Sequence, residues 1–290
     1  MRLSTIELEG TEVAAVHVDG RGLAPVPEAT DELPPTLLGL LRGHLDDTVR
    51  TELAARAAEL PDADLVDAAT ARYRPLYREP VKIWGIGLNY RAHAEDLAES
   101  HPDEPASFIK ASHTIIGHGD AIELPWHSSY VTAEAELGLV FGVESRDVDE
   151  HDALGHLAGV CPVLDQTAVD ILQRNPRFLT RSKNYPTFFS FGPVLVTIDE
   201  ALGGRGSLEH INVATYHNGR LHREDVVSGM RHTPEQLISL HTQMMPFSPG
   251  DIISPGSPGA VPIEDGDVAE CRIEGIGTLR NPVVRPEPAR

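Results

Sequence analysis

The sequence lacks several things, and each shortage closes off a class of protein. No run of about 18 apolar residues occurs, the length a membrane-crossing helix needs. The opening MRLSTIELEG carries charge where a secretory signal keeps its apolar stretch, so a cytoplasmic location is expected. Cysteine is nearly missing: Cys161 and Cys271 are the only two. Both sit in apolar stretches far apart, which fits buried thiols and offers neither a disulfide framework nor zinc spacing. Basic residues are outnumbered 24 to 44 by acidic ones, for a formal net charge of -20. Nucleic acid and anionic membranes are bound by neutralising negative charge, so neither is an expected partner. Lysine is scarcer still: Lys82, Lys110 and Lys183 stand against 21 arginines. A lysine kept against that bias marks either chance or a tight place where guanidinium cannot imitate a compact ammonium.

What is present suffices for a sizeable core, since 41% of the 290 residues are hydrophobic. Residues 1 to about 26 alternate apolar and polar with turns at Gly20 and Gly22, the pattern of a short hairpin. Residues 28–71 read as helical with a break at Pro61, and RYRPLYREP reads as a linker. After it the texture changes to short strands punctuated by Gly and Pro. Candidate strands are Ile83–Gly87, Ser107–Lys110, Glu134–Val143, Leu157–Leu164, Val194–Thr197, Asn212–His217, Asp251–Ser254 and Val268–Ile273. The expected organisation is a small N-terminal α+β domain, residues 1–76, followed by a β-rich domain, residues 77–290, built as a sandwich or roll. The fragment Gly85-Ile-Gly87 lacks the third glycine and the following βαβ units of a dinucleotide fold.

In VTAEAELGLVFG, a strand's period of two sends Ala133, Ala135, Leu137 and Leu139 to one face and Glu134 and Glu136 to the other. Two carboxylates on one face of an otherwise apolar strand either converge on a cation, which relieves their burial, or lie on a solvent-facing edge. The run LAGVCPVL then ends in Asp165, a third carboxylate or a turn former. Three oxygen donors without histidine suit magnesium or manganese better than zinc. In GLNYRAHAEDLAES, Asn89 fits a helix N-cap, and His93 and Asp96 share a helical face. That pairing gives a carboxylate-oriented general base or an ordinary surface ion pair. Lys183 lies in the irregular RSKNYPTFFSFGP. The backbone and Ser257 of SPGDIISPGSPGAVPIEDGD form either a carboxylate-holding loop or a plain connection.

Taken in order, KIWGIGLNYRAHAED, ASFIKASHTIIGHGDAIELP, AEAELGLVFG, GVCPVLDQT, RSKNYPTFFSFGP, HNGRL, SPGDIISPGSPGAV and GDVAECRIEGIGTLRNPV resemble the fumarylacetoacetate hydrolase family over roughly residues 80–283. The resemblance implies a mixed β-sandwich roll, α+β and β-rich, usually a homodimer. It places Glu134, Glu136 and Asp165 on the metal ligands, with Mg2+ or Mn2+ the expected ion and Ca2+ an occupant in crystals. It places His93 and Asp96 on the base and its partner, Lys183 on the active-site lysine, and Thr187, Gly256 and Ser257 on substrate-contacting positions. The implied substrate is a small 2-oxo acid. The implied activity is hydrolysis of a C–C bond in an acylpyruvate through a metal-stabilised enolate. Alternatives are isomerisation, tautomerisation or decarboxylation at the same site, or metal binding without turnover. Departures fall on substrate-facing groups: Val169 replaces an Arg, Pro186 an Asp, Pro255 a Thr and Arg223 a Gln.

Overall fold

The computed structural model describes residues 1–30, 32–43, 45–91 and 103–287. The chain opens with an antiparallel meander of β1 (Arg2–Leu8), β2 (Thr11–Val18) and β3 (Gly22–Pro25), one strand more than the expected hairpin. Three helices follow, α1 (Val26–Ala29), α2 (Leu37–Arg42) and α3 (Asp47–Glu59). Thr36 caps α2 by accepting from Gly39 N–H, and Asp46 caps α3 by accepting from Val49 N–H. Helix α3 stops because Leu60 precedes Pro61 and is held extended at ψ 138. The predicted helical stretch is therefore shorter and more broken than its apolar spacing suggests.

Beyond the linker come β4 (Ile83–Gly87), β5 (Ala106–Lys110), β6 (Ile115–Ile116), β7 (Ile122–Glu123), β8 (Val131–Phe141) and β9 (Leu157–Ala168). Helices α4 (Val169–Arg174) and α5 (Leu179–Lys183) lead to β10 (Phe189–Phe191), β11 (Val194–Thr197) and α6 (Ile198–Leu202). The remainder is β12 (Asn212–His217), β13 (Arg220–Val226), α7 (Pro234–Met244), β14 (Ile252–Ser254), β15 (Ala260–Ile263), β16 (Val268–Ile273) and β17 (Gly277–Val284). Among the described residues these strands form a twelve-stranded sheet, with the path β3-β2-β1-β11-β9-β8-β14-β4-β5, and a five-stranded sheet, β13-β12-β16-β17-β7. The N-terminal meander joins the large sheet directly, since Arg2 pairs with Val196 and Ser4 with Val194.

The central pair is β8 and β9, antiparallel and almost wholly buried. One face of β8, carrying Ala133, Ala135, Leu137 and Leu139, packs in a core with Val213, Ala269, Cys271 and Leu279 of the smaller sheet. The opposite side of the large sheet packs Val140, Cys161, Val163, Phe189 and Phe191 with Leu3, Leu37 and Leu53 from the N-terminal elements. The architecture is the mixed, strand-rich α+β roll that the sequence implied. No helix among the described residues is long and apolar enough to cross a membrane.

Where β4 meets β14, a lysine meets a fully buried acid. Lys82 Nζ lies 2.7 Å from Asp251 Oδ2, and Asp251 Oδ1 accepts from Lys82 N–H at 2.7 Å. Removing one partner of such a pair strands the other charge. Lys82→Met should therefore lower unfolding free energy by about 3 kcal/mol in urea titrations. A loss under a few tenths would show that Asp251 is satisfied by backbone alone.

Candidate metal centre

Strand pairing assembles the site. Glu134 of β8 stands directly opposite Asp165 of β9, and Glu136 is two residues along on the same face. Directly opposed side chains on one face have their Cβ atoms about 5 Å apart, so the carboxylates meet. One oxygen from each of Glu134, Glu136 and Asp165 lies within 4.8 Å of the others. Glu136 and Asp165 are buried and Glu134 is half-buried. Among the described residues a second acidic group, Asp149 with His151 and Asp152, is fully on the surface and lacks this enclosure. Asp165 is not at a strand end as its sequence suggested. β9 continues to Ala168, because Thr167 and Ala168 still pair with Thr132 and Val131.

Each carboxylate is held differently. Glu134 Oε1 accepts from Thr167 Oγ1 at 2.8 Å and Thr132 Oγ1 at 3.2 Å. Glu136 Oε2 accepts from Ser254 Oγ at 2.5 Å and from Gly256 N–H at 2.9 Å. Gly256 has φ +107, and a Cβ there would lie 2.9 Å from Asn89 Cβ, so only glycine suits the position. Burial, and then the charges of Asp165 and Glu134, push the Glu136 carboxyl up to about 8 despite the Ser254 bond.

Two lysines converge on Asp165. Lys183 Nζ, at the end of α5, donates to Asp165 Oδ2 at 2.5 Å and lies 3.7 Å from Glu134 Oε2. Burial opposes its charge, but Asp165 and Glu134 outweigh that and hold the ammonium above the usual lysine range. Beneath it lies Phe108, with Nζ 4.5 Å from the ring centroid. That ring lies flat across Gly85, where a Cβ would fall 2.2 Å from Phe108 Cζ. The glycine of the IWGIG fragment therefore seats an aromatic floor, not a nucleotide. Lys110 Nζ sits 2.5 Å from Asp165 Oδ1, and burial pushes its ammonium down to about 8. Asn184 clips α5 to β5, its amide donating to Ile109 O at 2.9 Å and accepting from Ala111 N–H at 2.8 Å.

The other predicted site residues are placed as follows. Gly256 contacts Glu136 through its N–H, while Ser257 is buried and its hydroxyl donates to Gly259 O at 3.1 Å. Thr187, at φ 69, accepts from Glu123 N–H at 2.8 Å. Among the described residues, Asn89 Oδ1 accepts from His232 N–H at 2.9 Å. Its amide donates to His232 O at 3.0 Å and Pro255 O at 2.8 Å, tying the end of β4 to the loop that holds Glu136. His93 and Asp96 lie outside the described residues. Sequence reasoning assigned no role to Ser254 and left Lys110 as a rarity; the lysine scarcity was the usable signal, since all three lysines pair with buried acids.

The donor set fits a hard divalent cation. It is oxygen only, with three carboxylates gathered within 4.8 Å of one another and two of them buried. Magnesium or manganese suits such ligands.

The comparisons agree with this geometry. The fumarylacetoacetate (FAA) hydrolase C-terminal family pattern matches residues 82–284. A mitochondrial oxaloacetate tautomerase of Homo sapiens is 30% identical over 288 residues, covering 96% of this chain and 88% of that one. The crystal structure of a 5-carboxymethyl-2-hydroxymuconate delta-isomerase from Mycobacterium smegmatis superposes with TM-score 0.75 at 28% identity, covering 99% of this chain and 100% of that one. A fumarylacetoacetate hydrolase from Exiguobacterium antarcticum superposes with TM-score 0.81 at 25% identity over the same shares, 99% and 100%. Pattern, fold and buried carboxylate trio together place the chain in the fumarylacetoacetate hydrolase family.

Proposed function

We propose that the chain is a divalent-metal-dependent tautomerase or isomerase of a small 2-oxo acid, moving a proton at the carbon beside the oxo group. The observation that carries this reading is Lys183, a buried ammonium fixed against Asp165 and Glu134 and floored by Phe108. Three carboxylates and two ammonium groups leave a formal excess of one negative charge. A divalent cation turns it into one positive charge, which suits an anionic substrate.

When bound, the cation supplies Lewis-acid polarisation of the substrate's oxo and carboxylate oxygens. The rest belongs to the chain. Ser254 and Gly256 orient Glu136, and Thr132 and Thr167 orient Glu134. Lys183 stays protonated beside its carboxylates, so it stabilises negative charge on the oxo oxygen and does not abstract a proton. In this proposal His93, oriented by Asp96, takes the proton from carbon and passes a proton to the enolate oxygen, which gives the enol and restores the base. Thr187, Gly256 and Ser257 complete the substrate-facing set, held by the bonds described above. The likeness to the human tautomerase, which spans nearly the whole chain, supports this outcome over hydrolysis. Hydrolysis of an acylpyruvate is the second reading, favoured by the likeness to the Exiguobacterium hydrolase; it adds water to the same site. A homodimer in the cytoplasm belongs to the same proposal.

Glu136 makes the ion's effect pH-dependent. Without a cation its carboxyl is raised from 4.5 to about 8. The folded chain then keeps a proton there that the unfolded chain releases, so its contribution to stability falls as pH rises through that window. A bound cation removes the disadvantage. Added Mn2+ should raise the melting temperature little near pH 5 and progressively more towards pH 8. A pH-independent increment would remove Glu136 from the ligand set.

With Mn2+ bound, Lys183→Met should lower turnover of enol-oxaloacetate about 100-fold or more, the usual cost of losing one fixed stabilising donor. Metal affinity should survive the change. Wild-type turnover in that variant would discard Lys183 as the stabilising charge. Product analysis in isotopic water separates the two outcomes. Tautomerisation gives solvent deuterium at the carbon beside the oxo group with no new acid. Two product acids, one bearing solvent oxygen, would establish hydrolysis instead.

A further inference from the structure

We propose that Lys110 is a positioning residue of the metal centre, fixing Asp165 for the cation and setting Lys183 beside it. The proposal rests on reading Glu134, Glu136 and Asp165 as the metal ligands. Lys110 is 2% exposed, and its ammonium donates to three main-chain carbonyls: Gln166 O at 3.1 Å, Lys183 O at 2.8 Å and Phe188 O at 2.5 Å. An ammonium has three N–H donors, so none is left over for a substrate. Asp165 Oδ1 lies 2.5 Å from the same nitrogen as an ion pair, so it shares that ammonium with the three carbonyls. One buried ammonium thus fixes the place of a metal-ligand oxygen together with the backbone around it.

The three carbonyls come from three places: the residue after Asp165 on β9, the last residue of α5, and the residue before β10. One point charge thus ties the strand of a metal ligand to the backbone of Lys183. A planar guanidinium directs its donors outward in a fork and cannot gather three carbonyls around one point. That geometry explains a lysine at position 110 in a chain that otherwise uses arginine for most of its positive charge. It also bars Lys110 from acting on substrate, since it has neither access nor a free donor.

The two roles a cation can have here predict opposite signs. If Lys110 were only a positive neighbour, removing it would relieve repulsion and tighten metal binding. If it positions Asp165, removing it loosens binding, and arginine does not rescue.

Mn2+ affinity, read by electron paramagnetic resonance on purified full-length protein, separates them without reference to turnover. Lys110→Met and Lys110→Arg should each bind Mn2+ at least 10-fold more weakly than wild type. Lys82→Met, which breaks a comparable buried pair with Asp251, should lose stability and bind Mn2+ as wild type does. Should Lys110→Met fail to fold, Lys110→Gln, which keeps two donors, serves in its place with the same expected loss. Unchanged or tighter Mn2+ binding in the folded variants overturns the proposal, as does full rescue by arginine. A wild-type protein that binds no Mn2+, or a Glu136→Gln variant that binds it unchanged, overturns the ligand reading itself and Lys110's role with it.

Discussion

Three carboxylates share one buried patch between β8 and β9, and much of the structure answers the cost of that arrangement. Like charges within 4.8 Å repel, and burial strips each of water. Asp165 is answered by two ammonium groups, Glu136 by a hydroxyl and a backbone N–H, and Glu134 by two threonine hydroxyls. Even so, Glu136 is pushed up to about 8 by burial and its neighbours. The compensation is incomplete: three carboxylates face two ammonium groups, and one formal negative charge is left over. That residue of unmet demand is what gives the patch an appetite for a hard cation.

The same constraint shapes the fold around the site. Lys110 sits on an outer strand of the sheet, β5, and reaches the central strand β9 at Gln166 O, while Phe108 of the same strand lies over Gly85 of β4. Asn184 fastens α5 to that outer strand, and Lys110 fastens the last carbonyl of α5. Asn89 performs the matching task on the other side, bonding to Pro255 next to the Gly256 N–H that grips Glu136. Each carboxylate is thereby fixed by segments distant in sequence, which is why the site exists only in the folded chain.

How much of this was legible beforehand depended on whether the signal was local. The period of two in β8 put Glu134 and Glu136 on one face and the alanines and leucines on the other, and the packing of Ala133 through Leu139 agrees. Strands bounded by clear turn residues, such as Val194–Thr197 and Asn212–His217, have the expected limits. Two-residue β6 and β7, and β13 with its exposed outer face, carry too little apolar pattern to be read. The length of β9 was underestimated because Asp165, Gln166 and Thr167 are polar, and polar residues in a row resemble a turn until their partners on β8 are known. Ser254 was invisible for the same reason: a serine at the end of a short apolar run becomes a ligand's hydrogen-bond donor only through a pairing 118 positions away.

Lysine usage shows how a compositional bias acquires physical meaning. Many arginines pair at the surface, where Arg2, Arg56 and Arg78 meet glutamates with their long forks and where little depends on shape. The buried acids Asp165 and Asp251 impose a different requirement, because a charge without water must be met at close range by a group that also satisfies its own donors. At Asp251 the acid takes two backbone N–H groups and an ammonium; at Asp165 the acid shares Lys110 with three carbonyls and Lys183 with Glu134. The first arrangement closes on itself and is structural. The second stays one charge short, since Glu134 and Glu136 stand beside Asp165, and that difference separates a stabilising ion pair from a site built to bind.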